Sequence, residues 1–188
     1  MALIESIQTQ RLTIRRFEES DAADLYEYLS DPQVYKYEPG EPISLVQTQN
    51  CAIDMANNPN FWAVELKSEQ KVIGQLYFSQ QEPARLLTWE LGYIMSPKYQ
   101  HQGYGSEAAK ALVEYGFTEF AAHRIQAHCN PANTASWKLL EKIGFRREGL
   151  LRKNVYFRKD EAGNPLWWDS YAYARLEEKY EMQIGEEK

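Results

Sequence analysis

A strand-like run ending at Met95 is joined to a long amphipathic run beginning near Ser106 by the glycine-rich segment Gln100-His101-Gln102-Gly103-Tyr104-Gly105. A glycine-rich turn that opens a helix leaves several backbone N–H groups without partners at the positive end of the helix dipole. Gly103 and Gly105 accept positive φ and place no Cβ between the backbone and an anion. The segment predicts a phosphate-binding loop, although two glycines before a helix also occur in a plain tight connection.

The spacing of this loop separates it from two other phosphate-binding loops. No further glycine follows at the positions of the dinucleotide fingerprint, and no Gly-Lys-Ser or Gly-Lys-Thr follows to make a nucleotide P-loop. The loop does match Q/R-x-x-G-x-G/A, the pyrophosphate-binding pattern of the GNAT superfamily of acetyl-CoA-dependent N-acetyltransferases, and in this respect the chain resembles that superfamily.

Other segments carry the same resemblance along nearly the whole chain. They are Thr9-Gln10-Arg11-Leu12-Thr13-Ile14-Arg15, Trp89-Glu90-Leu91-Gly92-Tyr93-Ile94-Met95, Asn133-Thr134-Ala135-Ser136 and Glu141-Lys142-Ile143-Gly144-Phe145-Arg146. Together they are similar to the branch that contains the ribosomal-protein-alanine N-acetyltransferases, whose members also carry Glu107-Ala108 after the loop and an aspartate such as Asp169 in the last strand. The resemblance implies acetyl-CoA as co-substrate and direct acetyl transfer to a primary amine in a ternary complex.

The resemblance also implies which residues meet the coenzyme. Backbone groups near Ile94, Met95 and Ser96 hydrogen-bond the pantetheine where the fourth and fifth strands splay apart, and the Ile94 N–H is the candidate oxyanion donor. Asn133 positions the coenzyme and Ser136 protonates or hydrogen-bonds the departing thiolate, although both residues also suit a plain helix N-terminus. The pyrophosphate is assigned to Gln100, His101, Gln102, Gly103, Tyr104, Gly105 and Ser106, among which His101 is either a phosphate contact or an exposed side chain.

Glu90 stands out on an otherwise hydrophobic strand that includes Trp89, Leu91 and Tyr93. A lone buried carboxylate is costly, so Glu90 either pairs with a basic neighbour or is placed to accept a proton. Given the family pattern around Glu-x-Gly-Tyr, Glu90 is the candidate general base, acting through water, and another group stays open for that role. An amino-terminal acceptor demands little of a base, because its pKa is about 7.7 to 8.0.

Bulk properties narrow the classes of function. The chain has 188 residues and a formal charge of −6, which argues against a nucleic-acid surface and favours cationic partners such as amines. No apolar run approaches the ~20 residues of a membrane helix and no signal-peptide pattern opens the chain, so we expect a soluble, cytoplasmic protein. Cys51 and Cys129 show no disulfide or metal-ligand spacing, and His123 and His128 add no ligand spacing, so no metal site is predicted.

The elements around the loop predict one α/β (α+β) domain over residues 1–188. Alternating apolar residues predict an antiparallel meander over 61–95, and the strand near 125–129 can run parallel to the strand before the loop through a right-handed helical crossover. A capping box at Ser44 and Gln47 and a cap at Asn133 predict two of the helices. The resemblance implies a GNAT fold: a mixed, mostly antiparallel twisted sheet of about seven strands, flanked by about four helices, with splayed fourth and fifth strands.

The acceptor side of the chain carries no substrate pattern. The segment Tyr35 to Asn60 lines the acceptor in such folds, and Trp167, Trp168 and Asp169 in the final hairpin either wall an acceptor pocket or serve the core. A protein amino terminus and a small-molecule amine both stay open as acceptors, and a non-catalytic acyl-CoA sensor on the same fold is the alternative function. Aromatics on the hairpin make a homodimer contact a further expectation.

Overall fold

A computed structural model describes residues 6–177 of the chain. The helices are α1 (Ala22–Leu29), α2 (Leu45–Ala56), α3 (Tyr104–Thr118) and α4 (Thr134–Lys142). The strands are β1 (Ser6–Gln8), β2 (Leu12–Arg15), β3 (Phe61–Leu66), β4 (Lys71–Gln80), β5 (Thr88–Met95), β6 (Arg124–Cys129), β7 (Arg146–Lys159) and β8 (Pro165–Leu176). They form one sheet of eight strands in the order β1-β2-β3-β4-β5-β6-β8-β7.

The sheet confirms the predicted mixed, mostly antiparallel architecture. Among the strands within residues 6–177, only β5 and β6 pair in parallel, and α3 makes the crossover between them. The sheet has eight strands rather than about seven, because residues 6–8 fold back on β2 as a short hairpin in which Ser6 pairs with Arg15. A three-residue strand is too short to produce an alternation pattern in the sequence. The strands predicted as fourth and fifth are therefore β5 and β6.

Strands β5 and β6 part soon after they meet. Their register runs from Thr88 opposite Arg124 to Glu90 opposite Gln126 and then stops, although β5 continues to Met95. Beyond Glu90 the two strands leave a V-shaped opening in the middle of the sheet. This is the splay that the resemblance implies.

Each face of the sheet has its own hydrophobic cluster. On one face α3 buries Ala108, Ala109, Leu112 and Val113, the apolar stripe that the sequence predicts, and α4 adds Leu140. On the other face α1 and α2 pack through residues such as Leu25, Tyr28 and Ala52. Among residues 6–177, no helix combines the length and the apolar character that a membrane span requires.

The predicted helix caps form. The Ser44 side chain accepts from the Gln47 backbone N–H while the Gln47 side chain reaches back to the Ser44 backbone, a complete capping box ahead of α2. Asn133 Oδ1 accepts from the Ser136 N–H at the start of α4. Gly144 follows α4 with φ of +91°, a conformation that glycine adopts without strain. Of these positions, Asn133 at the start of α4 lies at the opening of the sheet.

A carboxylate in the first turn of α3 ties that helix to the β1–β2 turn. Glu107 Oε1 accepts from Thr9 Oγ1 at 2.6 Å and from the Arg11 N–H at 2.9 Å, and Glu107 Oε2 accepts from Arg11 Nε at 2.7 Å. Arg11 also donates to the Gln102 carbonyl at 3.0 Å and lies over the Tyr104 ring. The glycine-rich loop is thereby held from behind by the edge of the sheet.

Gly116 allows α3 to approach the sheet closely. A Cβ at this position would lie 2.6 Å from Phe78 Cζ and 3.2 Å from Ile125 Cδ1, both of which are buried. Gly116→Ala gains about 1 kcal/mol of helix propensity but overpacks the core by about 1 to 3 kcal/mol. We expect a net loss of about 1 kcal/mol in the free energy of unfolding, measured by urea denaturation. Gly149→Ala, where nothing lies within 4 Å, is the matched control; an equal effect of the two would contradict this packing.

The Glu107 network predicts a pH-dependent contribution to stability. Burial raises the pKa of Glu107, but the hydrogen bonds from Thr9 and Arg11 outweigh burial and bring the pKa below its ordinary value of 4.5. Glu107→Gln should cost about 1 to 3 kcal/mol at neutral pH, because a charged acceptor of three hydrogen bonds is lost. The difference from wild type should persist above pH 4.5 and disappear as the pH falls through the lowered pKa.

Glu114→Gln on the same helix is the control for this effect. Glu114 pairs with Arg175 at 2.8 Å, but its side chain is 47% exposed. Such a surface pair contributes at most about 1 kcal/mol. Equal losses in the two variants, measured by denaturation over a pH series, would show that the Glu107 network has no special role.

Candidate active site

The glycine-rich loop presents unused backbone donors. Gly103 has φ of +83° and precedes the first residue of α3, and His101 has φ of +60°. Within the part of the chain that the structure describes, the N–H groups of residues 101–106 donate no hydrogen bond. Six amides without acceptors and the positive end of a 15-residue helix thus lie along one short loop, an arrangement that suits an anion with several oxygens.

The two glycines of the loop have packed surroundings. A Cβ at Gly105 would lie 3.1 Å from Leu139 Cδ1 and 3.3 Å from Met95 Cγ, and one at Gly103 would lie 3.3 Å from Arg11 Nη2. A Cβ at Gly105 would require Leu139 or Met95 to shift by a few tenths of an ångström, and a Cβ at Gly103 would require the same of the end of the Arg11 side chain. The glycines therefore leave room for the packing around the loop.

The side chains of the loop mostly brace it. Gln100 Nε2 donates to the Met95 carbonyl at 3.0 Å, and Gln102 Nε2 donates to the Lys98 carbonyl at 3.2 Å. His101 is exposed and borders the groove beside the loop. The Tyr104 ring carries Arg11 at 4.3 Å from its centroid. The backbone of this loop, more than its side chains, is available to a ligand.

Two cavities meet at the opening between β5 and β6. An outer groove of about 930 Å³ runs from the loop past Met95, and an inner cavity of about 830 Å³ lies beyond it and contains Glu90. The residues that line both are Tyr37, Glu38, Tyr93, Ile94, Asn133 and Ser136. A molecule bound along the groove would end at this junction, where a second molecule could approach from the inner cavity.

The register of β5 decides which backbone groups face the opening. The Ser96 N–H donates to the Ile73 carbonyl of β4, and Ile94 lies opposite Gln75 in the same register. Because N–H directions alternate along a strand, the N–H groups of Ile94 and Ser96 point toward β4. Those of Tyr93 and Met95 point into the opening. The Ile94 N–H, the candidate oxyanion donor from the sequence, therefore does not point into the opening, although Ile94 lines the junction.

Ser136 and Tyr93 form a hydroxyl pair at the junction. Tyr93 Oη lies 2.8 Å from Ser136 Oγ and donates to the Ser136 carbonyl at 3.1 Å. Burial raises the pKa of Tyr93 above its ordinary range, so its phenol stays protonated at neutral pH. The sequence assigns Tyr93 only to a hydrophobic strand; its hydroxyl reaches Ser136 because β5 and α4 come together in the fold.

Glu90 lies in the inner cavity and has an amide partner. Its Oε2 accepts from Gln126 Nε2 at 3.1 Å. Among residues 6–177 Glu90 forms no ion pair, so of the two alternatives from the sequence the salt bridge is not made. The half-buried carboxylate is left facing the cavity.

Glu38 is a second carboxylate at this site, and the sequence analysis does not single it out. It lies in the loop before α2, is half-buried and, within the described residues, makes no hydrogen bond or ion pair. Burial raises the pKa of Glu38 from its ordinary value to about 7. A loop without periodicity contains no signal for which of its acidic residues folds inward, whereas Glu41 in the same loop is exposed.

The final hairpin contributes part of the inner cavity. Trp168 packs edge-on against Phe157 at 5.6 Å between ring centroids, and both line the cavity. Trp167 is 49% exposed and Tyr173 is buried in the core. Asp169 borders the cavity and accepts from the Lys153 N–H at 2.8 Å. Of the paired tryptophans, Trp168 alone is a wall of the cavity.

The two cysteines are free thiols that line the inner cavity. Cys129 is buried and Cys51 is half-buried. Burial raises the pKa of both thiols. Because a thiolate is the reactive nucleophile, a raised pKa disfavours a covalent acyl-cysteine intermediate.

Comparisons with known proteins agree with this geometry. The acetyltransferase (GNAT) domain family matches residues 11–146. An uncharacterized N-acetyltransferase of Bacillus subtilis, YnaD, is 40% identical over 93% of this chain and 98% of its own length. The [ribosomal protein uS5]-alanine N-acetyltransferase of Escherichia coli is 26% identical over 78% of this chain and 80% of its own length.

Solved structures give the same result for the fold. A GNAT-family acetyltransferase from Bacillus anthracis has a TM-score of 0.83 at 40% identity, covering 92% of this chain and 99% of that one. A spermidine N-acetyltransferase from Vibrio cholerae, in complex with CoA and spermine, has a TM-score of 0.73 at 20% identity, covering 92% and 99% of the two chains. The chain belongs to the GNAT family of acetyltransferases.

Proposed function

We propose that this GNAT acetyltransferase transfers the acetyl group of acetyl-CoA to a primary amine by direct attack within a ternary complex. The observation that carries the proposal is the set of unused amides at residues 101–106, which opens into a groove leading to the splayed strands. The amides suit a diphosphate, and the splay offers backbone groups to the arm that follows it.

The charges of the two cavities support opposite charges on the two substrates. The outer groove is bordered by Lys36, Lys138 and Lys142, which suits phosphate groups. Among residues 6–177 the inner cavity is lined by no lysine or arginine, but it is lined by the carboxylates Glu38, Glu41, Glu90 and Asp169. An anionic coenzyme and a cationic amine would therefore meet at the junction.

The residues at the junction have complementary roles in this proposal. The Tyr93 N–H stabilises the oxyanion that forms when the amine attacks the thioester, and the Met95 N–H holds the pantetheine arm. Asn133 positions the coenzyme end through the first turn of α4. Ser136, held by the Tyr93 hydroxyl, hydrogen-bonds the departing thiolate. A strong acid is unnecessary there, because a thiol pKa is near 8.5 by analogy with cysteine.

Glu90 acts on the acceptor side. Its carboxylate faces the inner cavity while Gln126 occupies one of its oxygens. We assign it the binding of the acceptor ammonium. The free thiols Cys51 and Cys129 suit a reducing compartment, and we place the protein in the cytoplasm.

The acceptor class is tested with a panel of amines. Purified protein is incubated with acetyl-CoA and spermidine, an amino sugar, free amino acids or a peptide beginning with alanine, and CoA release is measured with a thiol reagent. Mass shift of the amine identifies the product. Turnover with any of them supports the enzyme; tight acetyl-CoA binding by calorimetry with no turnover would favour a non-catalytic acyl-CoA sensor.

Alanine substitutions at two glycines with nearly the same positive φ can separate an effect on coenzyme binding from an effect on stability. Gly103 and Gly163 have φ of +83° and +85°, so an alanine at either position costs about 1 to 2 kcal/mol of stability. Only Gly103 lies in the amide cluster; Gly163 is in the β7–β8 turn with nothing within 4 Å. Gly103→Ala should weaken acetyl-CoA binding by about tenfold or more, as about 1.4 kcal/mol of lost anion contacts requires.

Isothermal titration calorimetry measures this effect. Gly163→Ala should bind acetyl-CoA as wild type does. If both variants kept wild-type affinity, the coenzyme would not use these amides.

A further inference from the structure

We infer that Glu38 is the catalytic base that takes the proton from the acceptor ammonium before the amine attacks the thioester. This inference rests on the proposed acetyl transfer. It assigns to a loop residue the role that the strand residue Glu90 holds in the sequence analysis.

The position of Glu38 is the first argument. It lines both the outer groove and the inner cavity, whereas Glu90 lines only the inner one. Its charge is also felt by the groups around Ser136: burial is the main cause of the raised pKa of Tyr93 and of Cys129, and the Glu38 carboxylate raises both further. Tyr93 hydrogen-bonds Ser136, and Cys129 lines the same cavity as Ser136. Glu38 therefore lies near the point where thioester and amine would meet.

The lack of a structural role is the second argument. Glu38 has no hydrogen-bond donor or cation among residues 6–177, although a desolvated carboxylate is costly. In contrast, Glu107, Glu65 and Glu27 are each held by arginine, lysine or hydroxyl donors. A half-buried charge that the fold leaves without a partner is well placed for a partner that arrives with the substrate, and an ammonium supplies both charge and donors.

The surroundings of Glu38 suit proton transfer near neutral pH. The titratable groups that share its cavities are Glu90 and Tyr93 from β5, Cys129 and His128 from β6, Asp169 from β8 and Lys138 from α4. Its own loop adds Lys36 and Glu41. Burial alone raises the pKa of Glu38 to about 7, and none of these groups counteracts this effect. A base is most effective when its pKa lies near the working pH.

The proposed reaction moves one acetyl group and two protons. The Glu38 carboxylate takes one proton from R–NH₃⁺, and the resulting R–NH₂ forms a C–N bond to the thioester carbon. The C–S bond then breaks, the nitrogen loses a second proton, and the CoA thiolate gains one. Glu38 returns its proton to solvent, so the products are the amide, CoA–SH and one H⁺.

The pH dependence has a defined sign. Glu38 is active as the carboxylate, so kcat/KM, which reports the groups of the free enzyme, should rise as the pH passes upward through about 7. Of the panel amines that the protein acetylates, the assay uses the one with the highest pKa. An amine with a pKa near 10.4 titrates well above pH 7. The rise of the pH–rate profile near pH 7, its acidic limb, then reports the titration of a group on the protein.

Variants test the assignment. Glu38→Gln should lower kcat by about 100- to 10,000-fold and abolish the limb near pH 7, with unchanged acetyl-CoA affinity by calorimetry. Glu38→Asp should restore part of kcat and the limb.

Glu38→Gln should also raise the melting temperature at pH 8, because an uncompensated buried charge is removed. Glu19→Gln, an exposed glutamate far from the cavities, removes the same charge as a control and should behave as wild type.

Glu90→Gln separates the two carboxylates. If Glu90 binds the ammonium, its loss should raise KM for the amine and keep the limb near pH 7. A limb that persists in Glu38→Gln, or that disappears in Glu90→Gln instead, would overturn the assignment of Glu38.

A measurement without any acceptor keeps this test apart from that of the proposed function. If no panel amine is acetylated, acetyl transfer fails, and the Glu38 carboxyl is followed by ¹³C NMR in glutamate-labelled protein. A resonance that titrates near pH 7 and is absent from Glu38→Gln supports a proton-accepting carboxylate at the junction. A Glu38 resonance that titrates near the ordinary 4.5 would contradict it.

Discussion

The parting of β5 and β6 after Glu90 is the constraint on which the rest of this protein depends. Backbone N–H and C=O groups inside a folded protein need partners, and the register of β5 turns the N–H groups of Tyr93 and Met95 away from β4. In the proposed complex, the extended arm of the coenzyme takes the place of the missing strand in this opening. The glycine-rich loop and the start of α4 lie beside the opening, so recognition of such a molecule follows from the shape of the sheet.

The two cavities that meet at this opening carry side chains of opposite charge. Lysines border the outer groove, carboxylates border the inner cavity, and Glu38 stands where the two meet. A net charge of −6 is therefore not spread evenly over the functional surface. Opposite fields on the two sides of a junction favour an anionic donor and a cationic acceptor arriving from different directions.

Contacts from the β1–β2 turn hold the glycine-rich loop in place and keep its amides oriented for an anion. Glu107 joins the first turn of α3 to Thr9 and Arg11 of the β1–β2 turn, and Arg11 reaches the Gln102 carbonyl. A Cβ at Gly103 or Gly105 would lie 3.3 Å from Arg11 Nη2 or 3.1 Å from Leu139 Cδ1, a tight contact in either case. Amides that are already oriented require little reordering when an anion binds. The short hairpin of β1 and β2 therefore contributes to the site although it lies outside the cavities.

The sequence by itself determined the elements of this protein whose signals are local. Helical spacing, the capping box at Ser44 and Gln47, the cap at Asn133 and the loop motif before α3 all follow from neighbouring residues. The GNAT fold followed from the resemblance of several such segments to one superfamily. The tertiary structure alone decided what depends on distant contacts and on register. It turned the backbone of Tyr93 rather than Ile94 toward the opening and brought the Tyr93 hydroxyl to Ser136. It also folded Glu38 inward from a loop without periodicity, because burial of a loop residue depends on the strands and helices that pack over it.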